Sequence, residues 1–372
     1  MGRVTRGIGT AVLVLLSILL AYGLLEVGMH LTVTRWPAWM FNSQCRELRT
    51  LGQTSKNGVL PRSPYIAILG DSYGSGQGDW FAENGYNLNS RYQAAHVLQD
   101  LTGTDVISLS RAGAGNYDGP AIFAINTFKL LQRLGFALPA PAAVVVYFYE
   151  GNDMSDNLRM RDRYYTPTYD SSGIFDDKSF EVFASDIDKR FCQGGFRLPQ
   201  DYFFAGNLLS RTIEGMIYSA TKSAKPLPSG QSYSAIIDGR SIPLPDNIAE
   251  DDLVHMTPES KAVGVRFLER SLSRVARFWP QARRYVVYIP AALATYQVAE
   301  PEGEAIRMAS ADMELRVQQA AAQNGFEYLS AVPVLREKAA KTILHGPKDW
   351  HHLNRQGYTA LGAFLATKIH TQ

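Results

Sequence analysis

Tyr65-Ile-Ala-Ile-Leu-Gly-Asp-Ser-Tyr-Gly-Ser-Gly76 begins with five apolar residues and runs directly into a glycine-rich turn. A second run, Ala142-Ala-Val-Val-Val-Tyr-Phe-Tyr149, is continuously apolar and rich in β-branched residues. Strands without polar alternation are covered on both faces, which is the condition of a parallel sheet between layers of helices. Around these two runs the pattern predicts a helix over 91–101, a strand at Val106-Ile-Ser-Leu109 and a helix over 119–134. Further on it predicts a strand at Tyr285-Val-Val-Tyr-Ile-Pro290, a helix over 304–324, a last strand at Tyr328-Leu-Ser330 and a final helix over 354–369. The expected class is doubly wound, flavodoxin-like α/β.

Between about 155 and 281 this rhythm stops. Aromatics crowd the stretch, Gly194-Gly195 interrupts it and a loop-like run follows Lys222, so it reads as an insertion or cap, ending in a helix that opens near Thr257-Pro258-Glu259. Upstream, Arg3 and Arg6 precede an uncharged run from Gly7 to Leu25, long enough to cross a bilayer as a helix. The expected layout is a cytoplasmic tail at 1–7, an anchor at 8–27, a connector at 28–62 and a folded body at 63–372. Basic residues before the anchor keep the tail in the cytoplasm and place the body on the periplasmic or extracytoplasmic side. The apolar run is longer than a signal-peptide core and no small-x-small site follows it, so the anchor is read as uncleaved.

At 372 residues and 46% apolar content the chain can bury a large core, and 37 basic against 35 acidic residues leave no nucleic-acid footprint. The two cysteines, Cys45 and Cys192, are open to two readings: a disulfide, as export would allow, or two buried thiols. No Cys/His spacing suggests a metal site, and no cofactor is called for.

Ser72 sits where the first strand ends, at the edge of a parallel sheet where open α/β folds bind ligands. It also fits Gly-x-Ser-x-Gly, the nucleophile elbow of the α/β-hydrolases. That fold places several strands before its serine, whereas only an anchor and a connector precede Ser72. The second informative stretch is Asp349-Trp-His-His-Leu-Asn-Arg-Gln-Gly357, just before the final helix. A carboxylate three residues before an imidazole can hold its Nδ1–H while Nε2 serves a hydroxyl. The plainer role for Asp349 is to cap that helix. Gly113 after the second strand and Asn152 after the third are candidate donors at the same sheet edge.

Taken together, Gly70-Asp71-Ser72, Gly113, Gly151-Asn152-Asp153 and Asp349-x-x-His352-Leu-Asn-x-x-Gly357 resemble the SGNH (GDSL-like) hydrolase superfamily, in order over residues 65–370. The resemblance implies Ser72 as nucleophile, His352 as general base and then acid, and Asp349 as its orienter. It implies an oxyanion hole made by the N–H groups of Ser72 and Gly113 and the side chain of Asn152. Glu150 departs from the pattern, since many members carry glycine there. His351 is the competing base, but the spacing to Asp349 and Gly357 selects His352. His351, Trp350, Tyr73, Trp80 and Tyr117 lie beside the motifs and are candidate substrate contacts. Single-span members of this layout are associated with O-acetyl groups on cell-surface polysaccharide, which implies a carbohydrate O-acyl ester as substrate. The same triad would serve a lipase or lysophospholipase on membrane lipid, and a non-catalytic domain of this kind would instead bind polysaccharide or a membrane-embedded acyltransferase partner.

Overall fold

A computed structural model describes residues 2–53, 60–61, 64–79, 93–221, 231–248 and 253–369. Five parallel strands, β1 (Tyr65–Leu69), β2 (Asp105–Ser108), β3 (Ala143–Tyr149), β6 (Arg283–Ile289) and β7 (Glu327–Ser330), form one sheet in the order β2-β1-β3-β6-β7. Two further strands, β4 (Gln231–Ile237) and β5 (Arg240–Pro245), pair antiparallel as a separate hairpin. The order reverses between β1 and β3, so the crevice of the doubly wound sheet opens at the carboxyl ends of those two strands.

Alternate residues of the strands feed two cores. Tyr65, Ala67, Leu69, Val144, Val146 and Phe148 pack on one face, against helices that include Ile125–Arg133, Asp177–Phe191, Pro258–Phe278 and Glu302–Gln323. Ile66, Ile68, Val145, Tyr147 and Tyr149 pack on the other, against helices Ala94–Thr102, Val332–Ala339 and Arg355–Lys368 and against the hairpin. Every residue of β1 and β3 is buried, which is why neither run alternates.

The helix expected at Thr257 begins at Pro258, with the Thr257 hydroxyl accepting the Ser260 N–H at 3.2 Å and proline at a position that needs no N–H. It is the crossover between β3 and β6. The stretch from 155 to 281 is therefore not one cap: its helices Asp177–Phe191 and Pro258–Phe278 cover one face and its hairpin lies on the other. The hairpin turns at Asp238-Gly239, both at positive φ, as a two-residue turn between twisted strands requires.

Residues 29–53, which with 28, 60 and 61 are the described part of the expected connector, differ from that expectation. Met29, Val33, Phe41, Leu48 and Leu51 are buried in the same core as β1 and β3, and buried Glu47 pairs with Arg197 at 3.3 Å. These apolar positions follow no single period, so their burial could not be read from spacing. Before them, the helix Gly2–Thr32 carries, from Ile8 onward, a segment long and apolar enough to span a membrane, with Leu13, Leu16 and Leu20 exposed.

Candidate active site

β1 ends at Leu69, and the turn that follows is built around Asp71. Its Oδ1 accepts the Tyr73 N–H at 2.9 Å, its carbonyl accepts the Ser75 N–H at 3.1 Å, and the Ser72 carbonyl accepts from the Ser75 hydroxyl and the Gln77 N–H. Ser72 is thereby held at the sheet edge, 5% exposed. Its hydroxyl donates to Asp71 Oδ2 over 3.3 Å, a long bond that a better acceptor can replace.

The other half of the site arrives from the far end of the chain. The C-terminal helix Arg355–Lys368 packs on Ala94–Thr102, the helix leading into β2, and this brings the loop before it back over β1. Asn354 caps that helix, its Oδ1 accepting from Gln356 N at 2.9 Å and Gly357 N at 3.3 Å. The cap role is thus taken, and Asp349 does something else. His352 Nδ1 donates to Asp349 Oδ2 at 2.7 Å, and Asp349 Oδ1 accepts the His351 N–H at 3.1 Å. Burial raises the Asp349 pKa, but the hydrogen bond and charge of His352, with the His351 N–H, outweigh it and leave the carboxyl below its ordinary value. The His352 and Asp349 side chains stay 15% and 25% exposed, open enough to meet a substrate.

Five contacts, from Tyr73, Asp79 (two), Tyr358 and Gly78, clamp the two loops together. The Tyr73 hydroxyl donates to His351 O at 2.9 Å while its ring lies 5.4 Å from the His352 ring. Asp79 Oδ1 accepts both the Lys348 N–H, at 2.9 Å, and the Asp349 N–H, at 2.6 Å. The Tyr358 hydroxyl donates to Gln77 O at 2.5 Å. Gly78 lies so close to the Leu353 carbonyl that a Cβ there would stand 2.4 Å from it. The residue after the candidate nucleophile thus touches the loop that carries the candidate base.

Gly113 and Asn152 follow β2 and β3, the two neighbours of β1, so their loops flank Ser72 on either side. Gly113 is exposed, at φ +71°, a conformation that frees its loop to turn at the sheet edge. Asn152 precedes the helix Asp153–Met160 without capping it, and its Oδ1 is buried without a partner. Glu150, the departure from the family pattern, points away from the site. Its Oε2 accepts from the Tyr288 hydroxyl (2.9 Å), the Ser310 hydroxyl (2.7 Å) and Ala291 N (3.2 Å). Burial pushes its pKa up in spite of these donors.

Among the candidate substrate contacts, Tyr117 is corrected. It is buried in the core on the face that also takes Met29 and Val33, edge-on to Phe180 and Phe267, because the helix it opens packs inward. Tyr73 is also buried, stacked at 3.7 Å on Tyr149, and its role is to join the two loops. His351 is exposed and Trp350 half-buried beside the candidate triad, with Trp350 covering Gly346. Trp80 lies outside the described residues. The disulfide is corrected as well: Cys45 and Cys192 are free, buried thiols, and burial raises both pKa values, that of Cys192 to about 11.

Sequence reading missed Asp79 and His345. His345 is buried beside the pair, with Nδ1 on the Tyr296 hydroxyl at 2.9 Å. Burial first, and then the charge of His352, hold its pKa down to about 3, so it stays neutral and adds no competing charge. No local signal marks either residue, since each acts on partners distant in sequence or on chain folded around it.

No protein-family model matches the sequence, and no curated protein matches it. Among solved structures, the phospholipase A1 from Streptomyces albidoflavus NA297 aligns with a TM-score of 0.39 at 14% identity, over 83% of this chain and 100% of that one. An acetyl xylan esterase (Est2A) from the rumen bacterium Butyrivibrio proteoclasticus aligns with a TM-score of 0.36 at 10% identity, over 83% of this chain and 64% of that one. At such values the functional reading rests on this chain's own residues.

Proposed function

We propose that this chain is a membrane-tethered, SGNH-type serine esterase or O-acyltransferase. The observation that carries the reading is the 2.7 Å bond from His352 to Asp349, held by Tyr73 and Asp79 against the turn that presents Ser72. In the proposed reaction His352 Nε2 removes the Ser72 proton as the oxygen attacks an ester carbonyl. Asp349 stabilises the imidazolium that forms, and the N–H groups of Ser72 and Gly113 with the Asn152 amide receive the oxyanion. His352 then returns the proton to the leaving alcohol, and water or an acceptor hydroxyl releases the acyl group. The ground-state bond from Ser72 to Asp71 gives way to one with His352 when substrate excludes water; candidate catalytic hydrogen bonds are often long before substrate arrives.

The preferred substrate is an O-acetyl group on cell-surface polysaccharide, met on the outer face of the membrane. An anchored domain also meets lipid esters, and the apolar N-terminal helix gives a lipase or lysophospholipase reading its support. The test is release of p-nitrophenol from acetyl and longer acyl esters by the full chain in detergent, beside Ser72→Ala. Turnover confined to acetyl esters and lost in the variant supports the first reading; a long-chain preference moves the assignment to lipid. Absence of turnover with both esters and added acyl acceptors, in folded protein, would leave a non-catalytic polysaccharide-binding or assembly role.

A further inference from the structure

The helix Phe204–Thr221 has its polarity reversed relative to a helix of a soluble domain. Leu209, Ile213, Met216 and Ile217 share one stripe by their i, i+4, i+7, i+8 spacing, yet they are 59%, 46%, 67% and 58% exposed. A water-facing helix buries such a stripe. Its charged residues, Arg211 and Glu214, pair with each other at 2.8 Å, and their charges act on Arg49 of the folded body.

This helix starts against the outer end of the anchor. His30 stacks on Phe204 at 4.0 Å and its Nε2 donates to Tyr202 O at 2.8 Å, while Gly206 N donates to Glu26 Oε1 at 3.1 Å. The Tyr22 hydroxyl donates to the same Glu26 oxygen at 2.7 Å and lies against Gly206. As the second helix advances from 204 to 206, its contacts retreat along the anchor from 30 to 22, so it sets off antiparallel to the anchor. At roughly 1.5 Å per residue, its 18 residues reach about 27 Å, a length comparable with the bilayer's apolar layer. Nearby in the chain, Trp39 and Tyr202 are 65% and 51% exposed, the two kinds of aromatic side chain that gather where a chain leaves the bilayer.

We propose that Phe204–Thr221 is a second membrane-contacting element, with Leu209, Ile213, Met216 and Ile217 set among the acyl chains of the outer leaflet beside the anchor. The inference rests on the anchored reading given above and extends it. The occupant is lipid because the exposed apolar stripe leaves the junction alongside the equally exposed apolar segment of the anchor, and because the only charges described on it, Arg211 and Glu214, pair with each other, which lowers the cost of holding them at membrane depth. Contact at two places holds the body at a set orientation, with Ser72 and His352 at a constant height above the membrane.

The test uses the full chain in phosphatidylcholine/phosphatidylglycerol vesicles, with an environment-sensitive fluorophore on Ile213→Cys, Ile217→Cys, Leu16→Cys or Met308→Cys. Cys45 and Cys192 are buried, and the unsubstituted protein checks that they stay unlabelled. Quenching by doxyl groups on the acyl chains is expected at 213 and 217 as at Leu16, and severalfold above that at Met308, an exposed site on Glu302–Gln323. If an aqueous quencher reaches 213 and 217 as it reaches Met308, the helix lies in water and the proposal falls while the anchor stands. If neither quencher reaches them, protein covers the stripe, a second copy being the only protein present, and the proposal falls equally. Lipid quenching absent at Leu16 too would overturn the anchored reading itself.

Discussion

Glu150 and Asp349 are two buried or half-buried carboxylates near ends of the same sheet, and their environments drive them in opposite directions. Glu150 takes its hydrogen bonds from neutral donors, with Arg336 acting only as a weaker charge, and burial prevails, so its pKa rises. Asp349 faces an imidazole, and the hydrogen bond and charge of His352 prevail over burial, so its pKa falls. The difference separates a carboxylate that joins strands and helices from one that can stabilise a charge appearing during reaction. A motif position occupied by an acid is thus informative only together with its partner.

The largest expected effect breaks the Asp349 side of this comparison. Asp349→Asn keeps the shape but no longer holds the Nδ1–H tautomer, and ester turnover should fall by about 10³–10⁴-fold with the fold intact; a loss under tenfold would mean that Asp349 is structural like Glu150. On the Glu150 side, Glu150→Gln should leave kcat within about threefold, because the site does not use the carboxylate, while Glu150→Ala should cost ~1–3 kcal/mol by leaving the Ser310 hydroxyl and the Ala291 N–H without their acceptor. Thermal unfolding and turnover measured on the same samples separate the two outcomes.

Acid titration sharpens the comparison further. The folded protein holds His345 neutral with a pKa of about 3 against an ordinary 6.5, so the unfolded chain binds the extra proton. Stability from this group is full above 6.5 and declines as pH falls toward 3. Asp349 contributes in a lower window, above the ordinary 3.8, and its share is lost as pH falls through its depressed folded value. The His345→Gln variant should therefore show a flatter unfolding profile between about pH 6.5 and 4 than the parent; identical slopes would remove His345 from the account. The smallest effect is that of Tyr73→Phe, which keeps the ring on Tyr149 and His352 but drops the bond to His351 O, with an expected cost of ~1 kcal/mol and a few-fold loss in kcat.

Much of this was legible in the residues. β1 and β3 could be placed because strands buried on both faces lose their alternation, and Ser72 followed because β1 ends in its turn. The Asp349–His352 pair could be placed because a three-residue separation is a local geometry. The Asp238-Gly239 hairpin carried an equally local signal that the surrounding irregular stretch concealed. Glu150 was legible as a departure from the pattern but not as a structural ligand, since Tyr288 and Ser310 lie 138 and 160 residues away.

The sequence by itself determined the class of sheet, an apolar N-terminal segment and the candidate Asp349–His352 pair, because each depends on periodicity or spacing within a few residues; joining Ser72 to that pair came from the family resemblance. Only the tertiary structure decided that 29–53 belong to the core, that Cys45 and Cys192 stay free and that Tyr117 faces away from the site. It also decided that Asp79 reaches 269–270 residues along the chain to hold the Asp349 loop against Ser72. Such contacts depend on the order in which strands and helices pack, and no local pattern of residues encodes that order.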